Sequence, residues 1–269
     1  MSKDARGAKV ILQNRYHALI EKIFFDRYKE GAKSLDFKRE DLKSAAADLK
    51  IALPENLGDV IYSTRFRAPM PASILKTQPE GYEWLIELAG RSLYKFCLRK
   101  ANRIIPNPNL AIIRIPDSTP EIIAAYALDD EQALLAKVRY NRLIDIFLGL
   151  TTYSLQNHLR TTVKGMGQIE IDELYVGLDK FGCHYVIPVQ AKGGSDQISV
   201  VQTTQDIQCC TEKYPGLRCR PISAQFISSD QIALFELTVE DHEIRVVEER
   251  HYKLVPASEL DRAHISAYR

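Results

Sequence analysis

Four polar side chains stand out because their types and spacing suit metal binding beside a cationic group. They are Glu170, Asp172, Gln190 and Lys192. Carboxylate and amide oxygens are the ligands that hard divalent cations such as Mg²⁺ prefer. A lysine ammonium next to such a cation can stabilise negative charge that develops during a reaction. If the four groups meet in the fold, they predict a divalent-metal site with a lysine beside it.

The elements that would bring these groups together are two strands joined by a turn. Gln168–Val176 is rich in β-forming residues, and His184–Ala191 is an almost continuous apolar run. The connection between them, residues 177–182, begins and ends with glycine, which predicts a turn. Because side chains alternate along a strand, Glu170 and Asp172 share one face. The amide and the ammonium likewise share a face at the end of the second strand, and an antiparallel hairpin would place the two pairs together.

An ordinary hairpin with a solvent-facing polar stripe is the common alternative for this pattern. Two features count against it. The second strand is apolar on both faces, which is typical of a buried strand. Lys192 follows that run directly, before Gly193 and Gly194, and a lysine at the end of a buried strand is costly unless it is paired or functional. On the residues alone, both interpretations stay open.

The same stretch resembles the core of the PD-(D/E)XK nuclease superfamily, which includes many restriction endonucleases. That family places an aspartate on one strand and an acid-x-lysine element on the next, between a long helix and a following helix. Asp172 matches the aspartate, and residues 190–192, Gln-Ala-Lys, match the second element with glutamine in place of the acid. Some restriction enzymes carry this variant. Ile171 stands where the family has proline, and the resemblance covers about residues 131–256.

The resemblance implies a Mg²⁺-dependent endonuclease that hydrolyses phosphodiester bonds in double-stranded DNA, most often as a restriction enzyme and as a homodimer. Asp172 would be the principal metal ligand. The side-chain oxygen of Gln190 and the backbone carbonyl of Ala191 would complete the protein's share of the ligands. Lys192 would orient or help to deprotonate the attacking water and would stabilise developing charge.

Glutamine is neutral, so this site holds one negative charge fewer than the usual pair of acids. Glu170, which is predicted to lie on the Asp172 face, or Glu173 would restore that charge. Two other functions stay open beside restriction. One is a nuclease of DNA repair or recombination, and the other is a non-catalytic DNA-binding protein with a degenerate nuclease fold.

Composition bounds the kind of protein that this chain forms. Its 269 residues are enough for two domains, and its net charge of +1 excludes a uniformly basic nucleic-acid binder. Residues 61–105 nevertheless hold eight Lys or Arg and three acids, whereas residues 228–250 hold seven acids and two Arg. Five cysteines without a CxxC pair argue against a disulfide framework or a thiolate zinc site. No run is apolar enough for a membrane span or a signal core, so we expect a cytoplasmic protein with no membrane partner.

The N-terminal part predicts a helical DNA-recognition unit. Apolar spacing predicts a helix over residues 8–29, Asp36 is a candidate N-cap for a second helix that ends at Leu49, and a third helix is predicted over Pro54–Tyr62. Two short helices around a tight break resemble a helix-turn-helix unit. Arg65 and Arg67, interleaved with aromatic residues, would then contact DNA phosphates. Any small helical subdomain would show the same spacing.

Short strands follow the helices. Tyr82–Leu88, Ser92–Leu98 and Ala111–Ile115 predict a small β-subdomain or wing, with Trp84 in its core. We therefore predict a winged-helix-like DNA-recognition region over residues 1–115 and a nuclease domain over residues 116–269.

The nuclease domain is predicted as a mixed α/β sheet flanked by helices. A long, largely apolar helix is expected over Glu131–Leu150, continued by a helical stretch over Thr151–Thr162. Inside it, Asp145 is expected either to pair with Arg142 or, as the resemblance implies, to support the metal. Further elements are predicted as one helix, 197–210, and strands at 217–228, 232–239, 244–249 and 250–255.

Overall fold

The protein is described by a computed structural model, which covers residues 15–266 apart from 67, 101–103, 128–129, 165, 194–197, 199, 242 and 261. The chain forms two compact units. Unit 1 comprises residues 1–101 and 164–167, and unit 2 comprises residues 102–163 and 168–269. The predicted division after residue 115 therefore differs from the division by compactness. In the described part of the chain, no helix has both the length and the apolar character of a membrane span.

Unit 1 combines short helices with a small antiparallel sheet. Its elements are α1 (residues 15–25), β1 (Ser34–Lys38), α2 (Asp41–Leu49), α3 (Gly58–Phe66), α4 (Ala72–Leu75), β2 (Tyr82–Gly90) and β3 (Leu93–Lys100). The strand order is β1-β3-β2, and both pairings are antiparallel. Phe24 is fully buried and its ring packs edge-on against Trp84 and Phe96, which confirms the tryptophan as a core residue.

Two predictions for unit 1 were wrong in detail. Asp36 does not cap a helix but lies in β1, where Leu35 and Phe37 alternate with exposed residues and point into the core. The third helix begins at Gly58 and not at Pro54, because the Asn56 side chain accepts a hydrogen bond from the Gly58 N–H and thereby caps the helix at this later point. Part of the predicted first helix, residues 8–14, lies outside the described residues.

Unit 2 is built on a large mixed sheet. Its elements are β4 (Ile112–Pro116), α5 (Glu121–Tyr126), α6 (Glu131–Tyr140), α7 (Leu143–Leu148), β5 (Thr151–Val163), β6 (Gly167–Leu178), β7 (His184–Lys192), α8 (Val200–Lys213), β8 (Arg218–Cys219), β9 (Ile222–Phe226), β10 (Gln231–Glu240), β11 (Glu243–Val255), a 3-10 turn (Ala257–Glu259) and α9 (Arg262–Ser266). The strand order is β4-β11-β10-β9-β7-β6-β5, with β8 beside β7. A mixed α/β architecture was predicted and is confirmed.

The connections decide which faces of this sheet are covered. The strands β6 and β7 form an antiparallel hairpin, and α8 leads from β7 to β9, which runs parallel to β7. Helices α6 and α7 pack on one face, where Ile187 and Val189 belong to the main core. Helix α8 packs on the other face, where Val186 contacts Cys210. All five cysteines are free thiols. The predicted hairpin is thus buried between two helical layers.

The long predicted helix is in fact two helices followed by a strand. It breaks at Asn141 and Arg142, because the buried Asn141 side chain accepts from the Ser118 N–H and Arg142 adopts a left-handed conformation with φ of 51°. Gly149, with φ of 65°, ends α7. The segment predicted to continue as helix is β5, which begins and ends with β-branched residues.

Candidate functional site

The backbone ladder between β6 and β7 ends before the strands do. It runs from Leu178 paired with His184 to Glu173 paired with Val189. Beyond that pair, hydrogen bonds that involve side chains connect the two strands. The Ala191 N–H donates to Asp172 Oδ2 at 2.9 Å, and Gln190 Nε2 donates to the Glu170 carbonyl at 3.3 Å. We call this region, residues 170–172 of β6 with residues 190–192 of β7, the open end of the hairpin.

The open end brings together the predicted catalytic groups. Asp172, Gln190 and Lys192 lie on the face of the sheet that α8 covers, since Leu174 and Val186 of the same alternation contact that helix. Gln190 is 5% exposed, whereas Asp172 and Lys192 are half-buried. The prediction that the hairpin is antiparallel and that these three residues share one face is confirmed.

Helix α8 adds an acid that the sequence did not reveal. Asp206 is 2% exposed and accepts hydrogen bonds from Gln190 Nε2 at 3.2 Å and 3.0 Å, one to each carboxylate oxygen. It lies on the buried side of the helix with Thr203 and Cys210, three and four residues away. A lone acid on the buried face of an amphipathic helix was the available signal.

Both carboxylates hold their protons more tightly than they would in water. Burial raises the pKa of Asp206 well above its ordinary value, against the hydrogen bond from Gln190, and the nearby charge of Asp172 raises it further. Burial also raises the pKa of Asp172, against the Ala191 N–H and the charge of Lys192. A cation bound between these carboxylates would favour their ionised forms.

Two buried oxygens of the site have no hydrogen-bond partner in the described part of the chain. They are Gln190 Oε1 and Ser223 Oγ, and β9 places Ser223 directly opposite Gln190 in the sheet. Both residues line a small pocket with Lys192 and Asp206 that has room for about one water-sized body. Buried polar atoms without a partner are rare and indicate an ion or a water.

This donor set fits Mg²⁺ better than a transition metal. The described residues contain no group of three or more His, Cys, Asp and Glu side chains that would hold a metal. Mg²⁺ needs few protein ligands because it keeps several waters, and it takes carboxylate and amide oxygens. Asp172 and Gln190 supply one of each, and the side chain of Ala191 points into the core on the opposite face. The predicted role of the Ala191 carbonyl stays a prediction.

The two glutamates predicted to restore charge lie in different surroundings. Glu170 Oε1 is 3.2 Å from Arg160 Nη2 and 3.6 Å from His158 Nδ1. Both partners lie on β5, which neighbours β6 on the side away from β7, so the charge of Glu170 is balanced there. Glu173 lies on the opposite face of the sheet, fully buried, where Arg139 donates to it at 2.7 Å. Glu173 is therefore a structural residue and not part of the site.

Lys192 is positioned by strand β7 beside both aspartates. No carboxylate lies within ion-pair distance of its ammonium in the described ranges, and its charge acts on Asp172 and Asp206 through space.

Asp145, in contrast, does not reach the site. It accepts from Arg142 at 2.5 Å and from the Thr152 N–H at 2.8 Å, which confirms the predicted arginine pair.

The predicted DNA contacts in unit 1 have a different outcome. Arg65 lies in α3 with its guanidinium mostly withdrawn from water, and burial lowers its pKa to about 10 despite the nearby Tyr94 and Glu87. An arginine that binds phosphates presents its guanidinium to solvent. This placement suits a role inside unit 1 better than a phosphate contact. Arg67 lies outside the described residues.

No protein-family model, curated protein or solved structure was found to match this chain.

Proposed function

We propose that this protein is a Mg²⁺-dependent endonuclease of the restriction type, which hydrolyses phosphodiester bonds in double-stranded DNA. One observation carries the proposal. Asp172, Gln190 and Lys192 meet on one face of a buried hairpin, at the point where its backbone ladder ends. In the sequence, helices α6 and α7 and strand β5 precede the hairpin and helix α8 follows it, which supports the resemblance in part.

Asp172 and the Gln190 side-chain oxygen would hold the metal ion. When bound, Mg²⁺ supplies charge neutralisation at the scissile phosphate and an acidified water. The chain contributes orientation. The Ala191 N–H fixes one oxygen of Asp172 at 2.9 Å, so only the other oxygen is free to turn outward. A ligand held in this way needs little reorganisation when substrate arrives.

Lys192 would act on the substrate side of the site. Its Nζ can donate to an incoming water and to a phosphate oxygen, and it carries positive charge where negative charge develops in the transition state. The burial of the neighbouring Gln190 and Asp206 keeps bulk water from that side of the ammonium. Charge stabilisation of this kind is stronger in a partly dry site than in water.

A non-catalytic DNA-binding protein is the second candidate, and unit 1 favours it. Apart from the single turn of α4, its elements follow the order α1-β1-α2-α3-β2-β3. In the sheet, β3 lies between β1 and β2, and this order and pairing are winged-helix-like. Tyr62 is exposed on α3. Together with a metal site of few acids, this would suit a protein that binds DNA without cutting it.

Cleavage of supercoiled plasmid separates the two candidates. We expect the wild type and the control variant Glu212→Gln, which removes a carboxylate from the exposed side of α8, to nick plasmid with Mg²⁺ and not with EDTA. Asp172→Asn should bind DNA and leave it intact. DNA binding without cleavage by the wild type in Mg²⁺ or Mn²⁺ would favour the second candidate.

The class of nuclease can be read from the products and from the size of the protein in solution. Discrete fragments of genomic DNA would indicate restriction, whereas cutting only at branches or flaps would indicate repair or recombination. The resemblance also implies a homodimer, which sedimentation of the wild type tests directly.

A further inference from the structure

Position 190 holds glutamine where the family motif has an acid, and the carboxylate of Asp206 accepts a hydrogen bond from that glutamine. Asp206 is fully buried against Gln190, and the two side chains are 16 residues apart in sequence. A buried carboxylate is costly unless its hydrogen bonds and its charge serve the fold or a ligand. Among the described residues, Lys192 is the cation whose charge favours the ionised form of Asp206.

We propose that Asp206 is a positioning residue which supplies the negative charge that Gln190 lacks and which orients the Gln190 amide so that Oε1 faces a cation. This inference rests on the proposed function, because the cation is the metal of that reaction. In this arrangement the negative charge of the pocket comes from α8 and not from β7.

The hydrogen bonds of Gln190 argue for the orientation. An amide has two N–H donors on nitrogen and one oxygen acceptor. Gln190 Nε2 is directed at Asp206 and at the Glu170 carbonyl, so both donors are used by acceptors. With Asp206 ionised, as a bound cation favours, the reversed amide would put Oε1 against three oxygens and would be repelled. Oε1 is therefore the only atom of this amide that is left for the pocket.

A second, independent observation points to a ligand in the same pocket. Ser223 comes from a different strand, is 1% exposed, and its Oγ has no hydrogen-bond partner among the described residues. With Gln190 Oε1, it gives the pocket two buried oxygens that have no hydrogen-bond partner in the part of the chain that the structure describes. A hard cation, which is no larger than one water, would satisfy both, and the nearby carboxylates of Asp172 and Asp206 would balance its charge.

A charge-swap series tests this inference by titration of Mn²⁺ alone, followed by calorimetry or electron paramagnetic resonance. Removal of an outer partner of a metal ligand typically costs 10–100-fold in affinity, so Asp206→Asn should weaken Mn²⁺ binding by about tenfold or more. The double variant Gln190→Glu/Asp206→Asn keeps the shapes, the charge and one hydrogen bond of the pair. It should return to within about threefold of the wild type.

Controls separate this inference from the proposed function. Glu212→Gln removes a carboxylate from the same helix near its exposed side and should bind Mn²⁺ as the wild type does. Asparagine has the shape of aspartate, and cooperative urea unfolding of each variant will show that it is folded.

The outcomes are distinct. Loss of binding in Asp172→Asn with unchanged binding in Asp206→Asn would overturn the inference and leave the proposed function standing. A double variant as weak as Asp206→Asn alone would also overturn it. Absence of any Mn²⁺ binding by the wild type would overturn both.

Discussion

Substitution of Gln190 by glutamate tests the contact between β7 and α8 through protein stability. Gln190 Nε2 lies 3.0 Å and 3.2 Å from the two oxygens of Asp206, so Gln190→Glu exchanges an attractive contact for two carboxylates. Two such charges about 4 Å apart in surroundings of intermediate polarity repel by about 4 kcal/mol. That figure is an upper bound, since the pair can share a proton. We therefore expect Gln190→Glu to lower the free energy of unfolding by about 2–4 kcal/mol at pH 8.

The assay is urea unfolding at pH 8 and pH 5 with matched variants. At pH 5 the shared proton should remove most of the loss, and Gln190→Glu/Asp206→Asn should be close to the wild type at both pH values. Gln208→Glu, the same change at an exposed position of α8, should stay within about 0.5 kcal/mol. Equal stability of Gln190→Glu and the wild type at pH 8 would refute the contact.

Three further predictions concern neighbouring groups. Burial raises the pKa of Asp172 above the ordinary value of 3.8, so the folded state loses stability as the pH rises from 3.8 through the raised pKa. Asp172→Asn should therefore be more stable than the wild type at pH 8 and equally stable below about pH 4, as measured by urea unfolding at each pH. Glu173→Ala leaves Arg139 without its buried partner and should cost about 3 kcal/mol, against less than about 1 kcal/mol for Glu248→Ala, which breaks a surface ion pair with Arg250, in the same assay. Lys192→Met should lower the single-turnover rate of DNA cleavage by at least about 10² with DNA affinity unchanged, and a pure binding defect would make it a phosphate contact.

The hairpin of the site could be predicted from the sequence because its signals are local. Alternation placed Glu170 and Asp172 on one face, and the apolar run before Lys192 indicated a buried strand. Antiparallel pairing then follows from the short turn between the strands. These features depend on residues within about a dozen positions of one another, which is where sequence patterns are most informative.

Asp206 and the course of residues 141–163 could not be predicted because their causes are tertiary. Asp206 meets Gln190 only through the crossover that lays α8 on the sheet. Asn141 breaks a helical pattern because its side chain binds Ser118 and Thr119, more than 20 residues earlier. Strand β5 has exposed polar residues along most of its length, so it lacks the apolar alternation of a half-buried strand.

Unit 1 shows the same limit at a single residue. Arg65 lies in a basic stretch, which favoured a surface role, whereas the fold directs its side chain toward Glu87 and Tyr94. Charge in sequence does not reveal which way a helix turns its side chains unless the apolar face is well defined. Among the side chains of α3 that the structure describes, the buried apolar ones are Val60 and Ile61.

The position of Mn²⁺ in crystals of the wild type tests the central claim most directly. Anomalous scattering should show one strong peak at the open end of the hairpin, about 2.1 Å from an oxygen of Asp172 and from Gln190 Oε1. The same crystals of Asp172→Asn should lack it. A Mn²⁺ peak only at exposed acids such as Glu212, with none between β6 and β7 in a wild type that cleaves DNA, would contradict the assignment of this site.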